Sequence, residues 1–132
     1  MILLDTHALV WWVVEPKRIP REATRAIEKA LRKDQMLGVS SISIREIALL
    51  SAAGRLRLRP DTGLWLEKVE ALPVLAFYPV DNRIATRSVG LPLKSRDPAD
   101  CIIAATAIEY DATVVTADAR LRSFDQIETV WD

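Results

Sequence analysis

The chain has 132 residues, half of them hydrophobic and 27% charged, with eighteen basic side chains against eighteen acidic ones. This length and composition predict one globular domain, 1–132, and zero net charge excludes an overall attraction to nucleic acid. One cysteine excludes an intrachain disulfide, no apolar run nears the roughly 20 residues of a membrane span, and MILLD carries no basic leader, so a soluble, cytoplasmic protein with no membrane contact is expected.

MILLD is an apolar run ending on a carboxylate, the pattern of a buried strand. Residues 7–14, HALVWWVV, continue as a helix capped by Thr6. Pro16 and Pro20 break the chain before a helix over 21–34, where Ala23, Ala26, Ile27, Ala30 and Leu31 recur at helical spacing against a charged opposite face. LGVSS, 37–41, is a second strand, followed by the helix SIREIALLSAA with Gly54 as its stop. RLRLRP, 55–60, alternates but ends on proline, so it is at best a short edge segment. A helix over 63–71, a strand within PVLAFYPV and a short helix over 82–89 follow. RDPAD then opens an apolar helix, TVVTA forms a strand ending on Asp118, and IETVW, 127–131, closes the chain. Strands alternating with helices predict an α/β fold: a central parallel sheet of about four to five strands with helices on both faces.

Four carboxylates stand at particular places in that order. Asp5 and Asp118 end strands; Glu46 and Asp100 lie in the opening turns of helices. Each has a plain explanation as a cap. Asp97-Pro98 is a good helix start, Asp100 favours the helix dipole, Ser43 and Glu46 fit a capping box, Asp118 suits as cap of the turn ADARL, and Asp5, like Thr6, suits as cap of the helix starting near Thr6. Together they suggest more. In an open parallel sheet the C-terminal ends of strands and the N-terminal ends of helices share one edge, where ligands bind. All four acids are thus expected on one rim, flanked by apolar segments, where converging carboxylates are costly without cations. Oxygen donors suit Mg²⁺, or Mn²⁺, and one histidine with one cysteine argues against zinc. Such a rim commonly serves attack on phosphate by activated water.

MILLDTHALVWW, SSISIREIALL, RDPADCIIAATA and TVVTAD, in this order and spacing, resemble the PIN-domain ribonucleases, and most closely the VapC-type toxins of toxin–antitoxin pairs. The resemblance covers essentially the whole chain. It implies a PIN-like sheet and Mg²⁺-dependent endonucleolytic cleavage of RNA. It also implies an acidic quartet of Asp5, Glu46, Asp100 and Asp118 as catalytic and metal residues. Asp5 and Asp100 are the expected direct ligands; Glu46 and Asp118 complete a second site or orient water. Thr6 and Thr116 are expected to support metal-bound water, and Asp97 to act first as a cap and second as an outer acid. Cys101 stands where related toxins often carry a basic residue, which puts a local substrate or dimer contact in doubt. A homodimer and a VapB-type antitoxin partner, with an antitoxin Arg or Lys reaching the carboxylates, are implied as well.

Other features carry less. Arg55, Arg57 and Arg59 are either a solvated face or an RNA-binding edge that offsets the acidic site. A Cys101–His7 nucleophile pair lacks an orienting third residue, and His7 is expected in the core or on the rim. Trp11 and Trp12 are adjacent, so both cannot face one core direction on a helix and at least one is expected to be exposed: they are either a pair of core contacts or a partner surface, and the resemblance favours the second. The alternative function is a catalytically silent PIN-like module that binds RNA or protein. A dehalogenase-like phosphatase would want an acid where His7 stands, and a receiver domain an acid pair and a late lysine that are not evident.

Overall fold

A computed structural model describes residues 1–95 and 97–132. Among the described residues the sheet has five strands: β1 (Ile2–Leu4), β2 (Leu37–Ser40), β3 (Leu75–Tyr78), β4 (Thr113–Val115) and β5 (Glu128–Val130). All pair in parallel, in the order β3-β2-β1-β4-β5. The helices are α1 (Thr6–Val14), α2 (Arg21–Arg32), α3 (Ser41–Ala52), α4 (Thr62–Glu70), α5 (Asn82–Val89), α6 (Pro98–Tyr110) and α7 (Ala119–Arg122), with a 3-10 turn at Pro16–Arg18.

The short central strands are apolar because both faces are covered. Leu3 and Leu4 are fully buried in separate clusters. Leu4 joins Leu9, Val39, Ile47 and Val115 on the side that α1, α2 and α4 cover. Leu3 joins Ile103, Ala104, Val114 and Leu121 on the side of α6 and α7. Side chains alternate across a strand, so adjacent leucines in β1 feed both layers. The alanines of α6, with Ala104, Ala105 and Ala107 buried, let that helix lie close to the sheet. In β2 the space at Gly38 is tight: a Cβ there would lie 3.1 Å from the Ile2 carbonyl oxygen, so a larger residue needs its neighbours to give by a few tenths of an ångström.

Of the two cap candidates for α1, Asp5 takes the role rather than Thr6, accepting from the Ala8 N–H at 2.8 Å, and Thr6 is the first helical residue. The start of α3 differs from the expectation: Ser40, not Ser43, caps it, accepting from Ile42 N–H at 3.2 Å. The strand ends where the helix begins, so Ser43 falls inside α3 and is fully buried. Residues 55–60 form no strand: Leu58 is buried and Leu56 half-buried from irregular backbone, with the arginines between them exposed. β4 stops at Val115, leaving Thr116 and Ala117 as a link to Asp118. Gly54 ends α3 with φ +72°, in the left-handed region that favours glycine.

Candidate active site

The parallel register fixes where the acids meet. Leu4 pairs with Val39 on one side and Val115 on the other. The residues just past these pairs, Asp5, Ser40 and Thr116, therefore share the C-terminal edge of the sheet. The Asp5 N–H still bonds the Val115 carbonyl at 3.1 Å, so its backbone is anchored as strand while its carboxylate caps α1. α3 begins directly after β2 and carries Glu46 in its second turn. α6 enters the same edge with Asp100 in its first turn, and Asp118 caps α7 beyond β4. A cleft of about 420 Å³ is the result, lined by Asp5, Glu46, Asp97, Asp100, Asp118 and Arg120, with Thr6, His7 and Trp11 on its wall.

Each carboxylate is held by a named donor. The Thr116 hydroxyl donates to Asp5 Oδ2 and accepts from the Asp118 N–H at 3.0 Å, tying two of the acids together. The Thr6 hydroxyl donates to Glu46 Oε1, and lies 2.9 Å from the buried Ser43 hydroxyl, to which it is also hydrogen-bonded. Ser95 Oγ donates to Asp100 Oδ2 at 2.6 Å. Asp97 is exposed and caps α6 through Ala99 N–H at 3.0 Å. Asp118 accepts from Arg120 N–H at 2.8 Å, and the Arg120 guanidinium stands 3.4 Å from its other oxygen.

Burial sets the electrostatics. Asp5 is 7% exposed and Asp100 9% exposed. Burial raises the proton affinity of Asp5, against the hydrogen bonds from Thr116 and Ala8, and the Asp118 charge adds to the rise. Glu46 is raised by burial and then by Asp97 and Asp100; Asp100 is raised by burial and then by Asp118 and Asp97. Three acids are thus held above the usual carboxylate range, largely by loss of water and partly by one another. Clustered carboxylates with raised proton affinity in a cleft mark a functional site.

The donor set suits a hard divalent cation, since every carboxylate of the cleft offers oxygen. Among the described residues, however, no group of three His, Cys, Asp or Glu side chains already stands in position to hold one. The carboxylates are turned toward Thr116, Thr6, Ser95 and Arg120. Holding a cation asks for side-chain rotation from these donors toward a common point, with the backbone elements already around it.

The remaining expected residues separate. Thr6 and Thr116 both reach the cleft, and each hydroxyl is engaged with an acid. Arg55 lines a neighbouring cavity instead; Arg57 and Arg59 are exposed and line neither the cleft nor that cavity. His7 is an exposed rim residue, its ring 5.8 Å from that of Trp11. Cys101 is half-buried, and burial, Asp100 and Asp97 raise its thiol pKa, the opposite of an activated nucleophile. Trp11 and Trp12 are both half-buried rather than exposed: Trp11 packs 5.6 Å from Trp131, and Trp12 packs against the core and lines a small cavity with Pro16, Ile19 and Ile27. The sequence reading missed Ser95 and Arg120. The only signal for Ser95 was its place two residues before Asp97, whose N–H it accepts at 3.2 Å.

The PIN domain family model matches residues 2–127, nearly the full chain. The chain belongs to the PIN-domain family. Within it, the PIN domain is 38% identical to Ribonuclease VapC22 of Mycobacterium tuberculosis, with 98% of each chain covered. It thus falls among VapC-type proteins. The fold is shared with VapBC2 from Rickettsia felis, solved bound to a DNA fragment from its promoter, at a TM-score of 0.71 and 19% identity over both full chains. FitAcB from Neisseria gonorrhoeae superposes with a TM-score of 0.65 at 28% identity, covering 98% of this PIN domain and 96% of that chain.

Proposed function

We propose that this PIN domain is a metal-dependent endoribonuclease, the toxin of a VapBC-type toxin–antitoxin pair, with Mg²⁺ as its ion and Mn²⁺ as a substitute. The observation that carries the reading is the meeting of Asp5, Glu46, Asp100 and Asp118, from four separate elements, in one partly buried cleft. The 38% identity to a ribonuclease, over 98% of both chains, supports the same reading.

Asp5 and Asp100, the two buried acids, are the residues to hold the cation, with Glu46 and Asp118 completing its surroundings. A bound divalent cation supplies neutralising charge and a more acidic water for attack on the phosphodiester. The chain supplies the rest. Thr116 fixes the Asp5 carboxylate and the Asp118 backbone as one unit. Thr6, backed by Ser43, fixes Glu46, and Ser95 fixes Asp100. Such outer partners orient ligands and tune their basicity. Glu46 sits half-buried at the mouth with raised proton affinity, a suitable place to orient water and take up its proton. Arg120 offsets the Asp118 charge and leaves less repulsion for an approaching phosphate.

A VapB-type antitoxin is the proposed protein partner, carrying an Arg or Lys that reaches the carboxylates, and the toxin is proposed to act as a homodimer in the cytoplasm. Among the described residues no helix is long and apolar enough to cross a membrane. A second reading, a silent PIN-like module that binds RNA or protein, draws on the carboxylates being turned to protein donors. One experiment separates the two. Wild type, Asp5→Ala and Asp100→Ala are assayed for RNA cleavage with Mg²⁺ and with EDTA, and for growth arrest on expression. Cleavage by wild type in Mg²⁺ alone, lost in both variants, is expected. Equal cleavage by the variants overturns the metal site; no cleavage by any of them favours the silent module.

A further inference from the structure

Beside the acidic cleft lies a second cavity of about 520 Å³. Thr6, His7 and Trp11 belong to the lining of both, so the two cavities adjoin. Their chemistry is opposite. Among the described residues no acid lines the second cavity, and it carries Arg18 and Arg55 beside Leu56. Arg18 leaves the 3-10 turn after α1 and lays its guanidinium over the Trp11 ring, 4.3 Å from the centroid. Trp11 is itself backed by Trp131. Stacking fixes the plane of the guanidinium while its N–H groups remain available. The contact of Arg18 with Glu15 is long, 3.9 Å, between side chains that are each more than half exposed, and such a pair holds little. Arg55 follows the Gly54 turn and is exposed; among the described residues it forms no ion pair.

A cleft lined by five carboxylates repels a polyanion, and salt limits any help to cations within about 8–10 Å. Arg120 lies in the cleft but is engaged with Asp118. Arg18 and Arg55 are the cations on the adjoining surface that are not so committed. We propose that this groove is the phosphate-binding subsite for the RNA strand next to the scissile bond, with Arg18 and Arg55 gripping the backbone and Trp11 positioning Arg18. The inference rests on the ribonuclease reading above. Guanidinium forks match phosphate oxygens in pairs, and the cavity is large enough for a nucleotide.

The test uses the full chain. In an Asp5→Asn background, which is expected to bind RNA without cutting it, affinity for a fluorescent single-stranded oligoribonucleotide is measured across salt in Mg²⁺ buffer. The partners are Arg55→Gln alone and Arg18→Gln with Arg55→Gln. The double change is expected to weaken binding about tenfold or more at low salt and to flatten the log–log salt slope by about 1.4, two phosphate contacts on a single strand. The single change gives about half that slope. In otherwise wild-type protein the same pair raises KM for RNA by more than it lowers kcat. Unchanged affinity and slope, while wild type still cleaves RNA, overturn the subsite and leave the ribonuclease reading standing. If instead the arginine variants lose only affinity for the antitoxin, the groove holds polypeptide and the proposal is overturned. If wild type cuts no RNA and Asp5→Asn binds none, both fall together. Matched melting temperatures exclude misfolding, and Arg55→Gln, which leaves the Trp11–Arg18 stack intact, keeps the result readable if the double variant is unstable.

Discussion

Two cavities of this molecule gather carboxylates at opposite edges of the same sheet. One, past the C-terminal ends of β1 and β4, holds Asp5, Glu46, Asp97, Asp100 and Asp118. The other, where α6 turns into β4, is larger at about 530 Å³ and holds Asp111, Asp125 and Glu128. Volume and acid count alone would not choose between them. Burial does. Asp5 and Asp100 are buried and Glu46 half-buried, whereas Asp111, Asp125 and Glu128 are all exposed. Solvated acids cost nothing to keep ionised, and they occur on any surface. Buried ones cost stability, so their presence asks for a compensating role. The topology agrees, since ligands of parallel sheets bind outside the carboxyl ends of the strands.

The sharpest way to break the contrast is to neutralise one acid at each edge. Asp5→Asn and Asp100→Asn are expected to lower RNA cleavage by on the order of a hundredfold or more, the loss typical of a disrupted charge-stabilising or metal-orienting group. Asp125→Asn and Glu128→Gln should stay within about twofold of wild type, as exposed changes away from a site do. Comparable losses at both edges would dissolve the distinction between the cavities.

A smaller effect tests the cost of burial directly. Asp5, Glu46 and Asp100 have folded-state proton affinities above their ordinary values. The folded protein therefore holds these protons more tightly than the unfolded chain. The stability this confers is complete below the ordinary carboxylate pKa and is lost as pH rises through the raised values. In EDTA the melting temperature should fall as pH climbs from the ordinary carboxylate range toward neutrality. Asp5→Asn should flatten that fall and melt higher than wild type at neutral pH. Added Mg²⁺ should reverse the order, because it binds the ionised cluster and stabilises wild type more. A pH profile identical in wild type and Asp5→Asn would show that burial of this acid carries no such cost.

Much of this was legible in the sequence, for a physical reason. Apolar strands and punctuating Gly and Pro residues fix element order, and parallel α/β topology then forces strand ends and helix starts together. The placement of Asp5, Glu46, Asp100 and Asp118 follows from that rule. What resisted was local geometry. Thr6 and Asp5 both suit the start of α1 by residue type, and which one caps depends on where β1 ends; Asp5 takes the role, following β1 directly and capping α1 at once. The alternation of RLRLRP mimics a strand, although Leu56 and Leu58 reach the core from irregular backbone. Ser95 and Arg120 were missed because a loop residue's reach and a short helix's ion pair depend on tertiary placement. The juxtaposition of Arg18 with Arg55, far apart in sequence, depends on how the turn after α1 meets the end of α3.

The finest test of the contrast is Asp97, which belongs to the acidic cleft by position and to the exposed acids by solvation. It is exposed, caps α6, and its charge raises the proton affinity of Glu46 and Asp100. Asp97→Asn keeps the cap, since asparagine caps about as well as aspartate, whereas Asp97→Ala should cost about 1 kcal/mol of stability. Removing the charge relieves repulsion on Glu46 and Asp100 but also weakens the pull of the cleft on a cation. Expected for Asp97→Asn are a melting temperature in EDTA equal to or slightly above wild type and a severalfold higher Mg²⁺ requirement, with kcat at saturating Mg²⁺ close to wild type. A loss of kcat as deep as that of Asp100→Asn would instead make Asp97 a direct ligand, and exposure would no longer separate the acids that hold the ion from those that only surround it.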